Sequence, residues 1–512
     1  MTANRHYALR FVSILSTIIM LALPLVAQVD QVAISGTVTD SSGAAVQGAK
    51  IELLSTATGL HRETTTNTTG IYHLPALQIG KYKITVSKEG FKSVEFPNVE
   101  LSVGQPRTID VRLEVGTIST MVQVTATVEP LNRSSAEVGG LIETEQIKQI
   151  PISGRNWASL MLLTPGAINY GDGAQRAIRF SGYSLDDSNF TFDGVDTSGV
   201  QEQTQKADTR LNIALDAISE FRVSTGVYTA ESGAAGGAQI NVVSKTGSNQ
   251  YHGSTFYAVR NDALDARSPF DDPTTGLPPF TLHQFGGSFG GAIKKDKAFF
   301  FANYEGLRQN LGRTFINFAP NAAFRAQALA KSPTLKPILD AYPAGGTPVD
   351  DVTNQFTKVA SDTIREDAGM FRFDYLFSDR TSMYARYNVD DAYIDNPTDA
   401  LGSHNVIPHV PTNVVLQLQH SFSPSTINEW KFGFNRANFH NFSIGTAPLD
   451  VSIEGFDDVS GTSLYLVIHS ARRTFQRCLI RSWRSWIRRT SSSARKRLTA
   501  IVRISLTKIG IS

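Results

Sequence analysis

Gln284-Phe-Gly-Gly-Ser-Phe-Gly-Gly-Ala-Ile-Lys294 alternates with a period of two. Phe285, Gly287, Phe289, Gly291 and Ile293 share one face; Gln284, Gly286, Ser288, Gly290, Ala292 and Lys294 share the other. Successive side chains of a β-strand point to opposite faces, so the stretch reads as a strand with one apolar and one small or polar face. Val414, Leu416, Leu418, His420 and Phe422 alternate with Val415, Gln417, Gln419 and Ser421 in the same way, and Trp430, Phe432 and Phe434 with Lys431, Gly433 and Asn435. Phe371, Phe373, Tyr375 and Phe377 alternate with Arg372, Asp374 and Leu376, and Met383, Ala385, Tyr387 and Val389 with Tyr384, Arg386, Asn388 and Asp390. Ala298–Gln309 is too rich in Phe to be phased. Apolar-out, polar-in alternation with aromatic ends is what a lipid-facing barrel requires. Hydrocarbon leaves no backbone group unpaired, so such a sheet must close. A large soluble β-sandwich is the competing reading of the same pattern.

Composition agrees with a β-rich chain of several domains. The 512 residues include 40 Gly and 29 Phe but only 18% charged residues, against about 25% in an average soluble domain. Cys478 is the single cysteine, which excludes a disulfide framework or a cysteine-built zinc site. The net charge of +2 hides a split: Leu466–Ser512 holds 12 Lys and Arg and no acid, leaving residues 1–465 at −10. At the other end Arg5, His6 and Arg10 precede an apolar run, Phe11–Ala27, too short to span a bilayer. Small Ala27 before polar Gln28 predicts a secretory signal peptide over 1–27 with cleavage between the two, an uncleaved anchor helix being the alternative.

Residues 30–115 contain seven short strand patterns: Ala33–Asp40, Ala49–Ser55, Leu60–Thr66, Gly70–Leu74, Gly80–Lys88, Val99–Val103 and Arg107–Leu113. Asp40-Ser-Ser-Gly43 and Asn67-Thr-Thr-Gly70 mark turns between them. This predicts a seven-stranded β-sandwich over 28–116. Ile34-Ser-Gly-Thr-Val-Thr-Asp40, Gly70-Ile-Tyr72, Leu77-x-x-Gly80-x-Tyr82 and Lys88-x-Gly90-Phe91 resemble the carboxypeptidase regulatory-like domain. In carboxypeptidases that domain accompanies a zinc enzyme, yet no His-x-x-Glu occurs at any of the ten histidines. The resemblance therefore implies a binding module, carbohydrate-type among the options, or a spacer.

After Gly116 the texture changes. Ile118–Thr127 is extended; short helices are expected over Glu143–Ile150, with Thr144 as N-cap and Pro151 as stop, and over Arg155–Leu163. Gly233, Gly236 and Gly237 permit tight turns and close backbone approach, and Asp193-Gly194 between β-like runs reads as a hairpin turn with a structural Asp. Ile147-x-x-Ile150-Pro151-x-x-Gly154-Arg155-Asn156 with Leu162-Leu-Thr-Pro-Gly166, Asn189-Phe-Thr-Phe-Asp193-Gly194-Val-Asp196, Asp216-Ala-Ile218-x-Glu220-Phe221-x-Val223 and the glycine-rich run ending Ile240-Asn-Val-Val243-x-Lys245-x-Gly247-x-Asn249 resemble the plug of Oar-like TonB-dependent receptors. Asn249-x-x-His252-Gly253, Arg260-Asn-Asp-Ala-Leu-Asp-Ala-Arg267 and Gln284–Phe301 resemble their barrel starts. Ser268–Pro279 and Pro320–Asp362 then read as long surface loops.

The resemblance implies a mainly β chain: sandwich, α+β plug over 117–248, and the N-terminal part of a transmembrane antiparallel barrel over 249–465. It implies an outer-membrane receptor or transporter of a Gram-negative-type bacterium, with outer-membrane lipid, the energy-transducing protein TonB and a ligand, glycan or peptide, as partners. TonB would add a strand to an extended segment before the plug; Ile118, Val122, Val124, Thr125 and Ala126 lie in the best-placed stretch, which equally reads as a first plug strand. Gly154, Arg155, Asn156, Asp193, Gly194, Gly236 and Gly237 carry the plug motif in a structural role. No catalytic, cofactor or metal site is expected and no nucleic-acid partner. Gly286-x-Ser288-x-Gly290 fits the hydrolase elbow, but that elbow needs a strand-to-helix turn and this copy lies mid-strand.

About eight strands fit between Asn249 and Leu464, whereas a plugged transporter has about 22. With the basic tail 466–512 lacking strand alternation, the expectation is a barrel left incomplete by a frameshift and unable to transport; a basic tail for nucleic acid or anionic lipid is the alternative. The rival to the receptor reading is a secreted or surface carbohydrate-binding adhesin built on the sandwich.

Overall fold

The computed structural model describes residues 31–116, 121–123, 137–170, 178–183, 187–197, 213–226, 236–266, 278–424, 426–436, 438, 440–445 and 463–465. Ala27 and Gln28 of the expected signal peptide, the tail 466–512, Gly233 and most of Ser268–Pro279 lie outside these.

The front domain runs β1 (Val32–Thr39), β2 (Lys50–Ser55), β3 (His61–Thr65), β4 (Ile71–Leu77), β5 (Gly80–Ser87), β6 (Ser93–Leu101), β7 (Arg107–Thr108) and β8 (Val111–Arg112). One sheet has β1 between β4 and β7, with β8 also on β1; the other is ordered β3-β2-β5-β6-β9, where β9 is Met121–Gln123. Alternate residues of β1, β2 and β5 are fully buried, among them Ile34, Val38, Ile51, Leu53, Ile84 and Val86. Each such side chain contributes about 1.5–3 kcal/mol by leaving water. Two expectations shift here. The sixth strand is Ser93–Leu101 rather than Val99–Val103, because Val94 and Phe96 already face the core. Arg107–Leu113 is split into β7 and β8. Gly36 is required by close approach: a Cβ there would lie 1.9 Å from the Ile109 carbonyl oxygen.

The plug comprises β10 (Val138–Ile142), α1 (Thr144–Gln149), a 3-10 helix Trp157–Leu163, β11 (Ala167–Asn169), β12 (Ile178–Phe180), β13 (Asn189–Phe192), β14 (Val195–Asp196), β15 (Ile218–Thr225) and β16 (Ala238–Ser244). Its main sheet is ordered β10-β15-β16-β13-β14. The N-cap position of α1 is Glu143, not Thr144: the Gln146 side chain accepts from the Glu143 N–H at 3.0 Å, while Thr144 sends its hydroxyl to the Ser219 carbonyl. The core centres on Trp157, packed edge-on to Phe221 at 5.2 Å, with Met161, Phe180, Phe192 and Ile240.

One sheet takes up the rest: β17 (His252–Asn261), β18 (Phe280–Lys294), β19 (Ala298–Pro320), β20 (Thr347–Pro348), β21 (Thr353–Ser378), β22 (Thr381–Pro397), β23 (His404–His409), β24 (Thr412–Ser423), β25 (Thr426–Arg436), β26 (Asn441–Ile444) and β27 (Ser463–Tyr465). Short turns join β18 to β19, β21 to β22 and β24 to β25 at one end, and longer connections, including α2 (Ala322–Lys331), lie at the other. β19 and β21 pair from Ala298↔Tyr375 to Pro320↔Thr353, well beyond the roughly 9–11 residues that cross a bilayer. Residues 353–362, expected in a loop, are therefore strand. Their polar side chains read as loop, but each pairs with 311–320 and Asp362 takes the Arg313 guanidinium at 3.0 Å.

The alternation resolves the two faces. Phe371, Phe377, Leu418, Phe422, Trp430 and Phe432 are exposed, whereas Arg372, Asp374, Arg386, Asn388, Gln417 and Gln419 are buried. Apolar side chains line the outside and polar ones the inside, the reverse of a soluble sheet and the requirement for a sheet standing in lipid. In Ala298–Gln309, Phe299 and Phe301 point inward, and Phe301 joins the plug core together with Met370. Among the described residues no helix is long and apolar enough to cross a membrane, which says nothing of strands.

Candidate functional site

The plug meets the barrel wall at two charged anchors. The first forms at the tip of the β13–β14 hairpin, where Asp193 and Gly194 take φ of 50° and 73°. Positive φ at both positions is the type I′ turn whose twist suits a two-residue hairpin. The turn aims a buried Asp193 carboxylate at the barrel. Its oxygens accept from the Ser244 N–H and the Ser244 hydroxyl, both at 2.8 Å. Arg386 Nε stands 2.5 Å away and Arg372 Nη1 3.7 Å away. Arg372 also pairs with Asp374 at 2.8 Å and donates to Ser244 Oγ at 2.8 Å. Arg386 reaches the Phe192 carbonyl at 3.1 Å and stacks over the Phe192 ring at 3.7 Å. From β25, Lys431 donates to the Asp193 carbonyl at 3.2 Å. Gly433 admits the hairpin, since a Cβ there would lie 2.6 Å from Val195. One plug carboxylate is thus matched by two buried barrel guanidiniums, in a setting where an unmatched charge is costly.

The second anchor is Arg155. It holds φ 54°, following Gly154 at φ 62°, a left-handed pair that swings the side chain outward at a cost of about 1–2 kcal/mol. The guanidinium pairs with Asp216 at 2.9 Å and Glu305 at 3.5 Å, and lies 3.6 Å over the Phe256 ring of β17. The Gly154 carbonyl accepts from Gln284 of β18 at 3.2 Å. Asn156 caps the following 3-10 helix by accepting from the Ala158 N–H at 3.1 Å. Gly236 and Gly237 both donate to the Asp187 carbonyl at 2.9 Å, and a Cβ at Gly237 would meet Ser188 Oγ at 2.7 Å.

The sequence reading named the plug half of these anchors and missed the barrel half: Arg372, Arg386, Lys431 and Glu305. The signal was present, since charged residues on the inner face of a barrel strand need a partner. Of the extended segment, Ile118, Val124, Thr125 and Ala126 lie outside the described residues. Met121–Gln123 pairs parallel to Ser93–Glu95 and extends the sandwich sheet rather than the plug sheet. Ser288 sits mid-strand in β18 with its hydroxyl 2.9 Å from that of Ser254, and no helix follows. On the sandwich surface Glu52, His61 and Glu63 bring ligand atoms within 4.8 Å of one another. Lys50 already reaches both carboxylates, at 2.5 and 3.0 Å, so an ammonium matches their charge.

A plug fixed against the polar inner wall of a sheet with an apolar outer face is the arrangement expected of an outer-membrane β-barrel. The outer membrane beta barrel domain family matches residues 243–470, and the carboxypeptidase regulatory-like domain family matches residues 33–114. The chain also resembles a curated relative in sequence. It is 26% identical over 286 residues to the TonB-dependent transporter Oar of Myxococcus xanthus, covering 53% of this chain and 26% of that protein. The chain thus spans about a quarter of the length of the curated relative it matches. Among solved structures it is similar to the outer membrane transporter YddB from Escherichia coli, at 12% identity and TM-score 0.44, over 60% of this chain and 39% of that one. A ferric enterobactin receptor mutant from Pseudomonas aeruginosa gives 11% identity and TM-score 0.35, over 62% and 47%.

Proposed function

We propose that the chain is part of a TonB-dependent outer-membrane transporter, its plug held against the barrel wall until force on the segment before it moves it. The observation that carries this is the Asp193–Arg386–Arg372 anchor: a buried ion-pair cluster that ties a separate plug sheet to the barrel wall. On this reading the chain divides into a sandwich over 28–116, a plug over 117–248 and a barrel segment over 249–465. Around Val122 an extended backbone offers TonB an added strand. The polar inner wall suits a hydrogen-bonding cargo, a glycan or a peptide. Nothing in the two anchors activates a nucleophile or poises a base, so the reading contains no covalent step. The test is a cysteine at Val122 in outer membranes, with Cys478 changed to Ser, offered a TonB periplasmic fragment carrying cysteines along its strand-adding edge. Disulfide capture at Val122 but not at Thr398 on the far rim supports the reading; equal capture at both overturns it.

A further inference from the structure

We propose that the front sandwich is a docked cap that closes the short-turn end of the barrel, not a module trailing on a linker. The inference builds on the receptor reading but is tested without ligand or TonB. Two loops and one strand of the sandwich bear on the barrel rim and the plug. The Ala57 carbonyl, between β2 and β3, accepts from the Asn249 N–H at 2.8 Å where the chain enters β17. Next to it Gly59 fits against Asp296 in the turn between β18 and β19; a Cβ there would lie 2.3 Å from the carboxylate. The Ala76 carbonyl of β4 accepts from Gln419 of β24 at 2.9 Å. Past β6, the Val103 N–H donates to Glu220 of plug strand β15, and Gly104 packs so closely on Arg222 that a Cβ would lie 2.7 Å from its Cδ.

These contacts touch the plug, the β17 entry, one turn and one strand on the opposite side of the sheet. A tethered spacer needs none of them, and a domain resting on a single strand could not reach all. They also bury Glu220 and Arg222, at 8% and 4% exposure. The contact is not dry throughout: a cavity of about 350 Å³ lies between β3 and the β21–β22 turn, lined by Arg62, Glu63, Asp379 and Arg380. Polar, partly hydrated contact is the character of an interface that separates. Because Met121–Gln123 is paired to β6, the strand that leads into the Val103 contact, tension on the linker reaches the cap before the plug.

The experiment uses the full chain in outer membranes with Cys478→Ser. The 2.8 Å backbone hydrogen bond keeps the α-carbons of Ala57 and Asn249 within about 7 Å, the reach of a disulfide. The pair Ala57→Cys/Asn249→Cys is expected to oxidise about tenfold or more faster than the control pair Ala57→Cys/Thr398→Cys, whose second site is on the opposite rim. Asn249 also braces the Asp296 turn, so a second pair, Ala76→Cys/Gln419→Cys with a short bis-maleimide, reads the interface independently. Both pairs linking no faster than the control would overturn the cap, and would leave the transporter reading standing.

Discussion

Replacing Asp193 by Asn removes one negative charge from a point where two guanidiniums converge. The amide oxygen still accepts from the Ser244 N–H, so the hairpin and its hydrogen bond persist. Arg372 keeps Asp374 at 2.8 Å. Arg386 keeps only neutral acceptors, the Phe192 carbonyl and Asn413. The net change is one buried arginine without a carboxylate, which costs about 3–5 kcal/mol. With a urea slope of about 1–3 kcal/mol per molar, the plug transition falls by at least about 1 M. Trp157 is the plug's only tryptophan and is buried, so its emission in detergent-solubilised protein follows that transition. Adding Arg386→Met removes the stranded charge, and the double variant recovers about 1–3 kcal/mol of the loss. If Asp193→Asn moves the midpoint no further than Asp391→Asn, an exposed control, the anchor does not hold the plug.

Further outcomes follow from the same contacts. Burial, with Glu143 and Glu100 nearby, pushes the Glu220 carboxyl up to about 8 against the opposing Val103 N–H. A carboxyl whose folded pKa is raised stabilises docking fully below about 4.5 and loses that contribution as pH rises through about 8; crosslinking of Ala57→Cys/Asn249→Cys at matched thiolate fraction falls over that window, and Glu220→Gln flattens the profile. Gly36→Ala, forced against the Ile109 carbonyl, destabilises the sandwich by about 1–3 kcal/mol, read as a lower temperature of onset for proteolysis within residues 31–113. Leu418→Arg on the outer face lowers barrel stability in bilayers by about 2–4 kcal/mol, whereas Asp391→Arg, on the same face but toward the far rim, stays near neutral; no loss for Leu418→Arg would contradict the assigned faces.

The barrel faces were legible because period-two alternation needs no tertiary information: Val414–Phe422 and Trp430–Asn435 point as the pattern dictates. Phe299 and Phe301 resisted phasing for a physical reason. Both face inward, and Phe301 packs into the plug core, where apolar contact replaces the polar lining found elsewhere. Asp193-Gly194 announced its turn locally, but its two arginines lie roughly 180 and 190 residues downstream on β21 and β22, and no spacing rule connects them. The polar stretch 353–362 reads as loop because strand propensity reflects the surface a strand packs on, and this one pairs in solvent beyond the bilayer. The docking of the sandwich rests on backbone carbonyls at Ala57 and Ala76, which carry no sequence signal.

The central claim is that the outer face meets acyl chains. Trp430 lies on that face with 53% exposure, whereas Trp157 is enclosed at 3%. Two variants, each with Trp483 and Trp486 changed to Phe and one of these two tryptophans retained, are reconstituted with brominated phospholipid. Strong quenching of Trp430 with Trp157 unchanged is the predicted result; unquenched Trp430 would contradict the account.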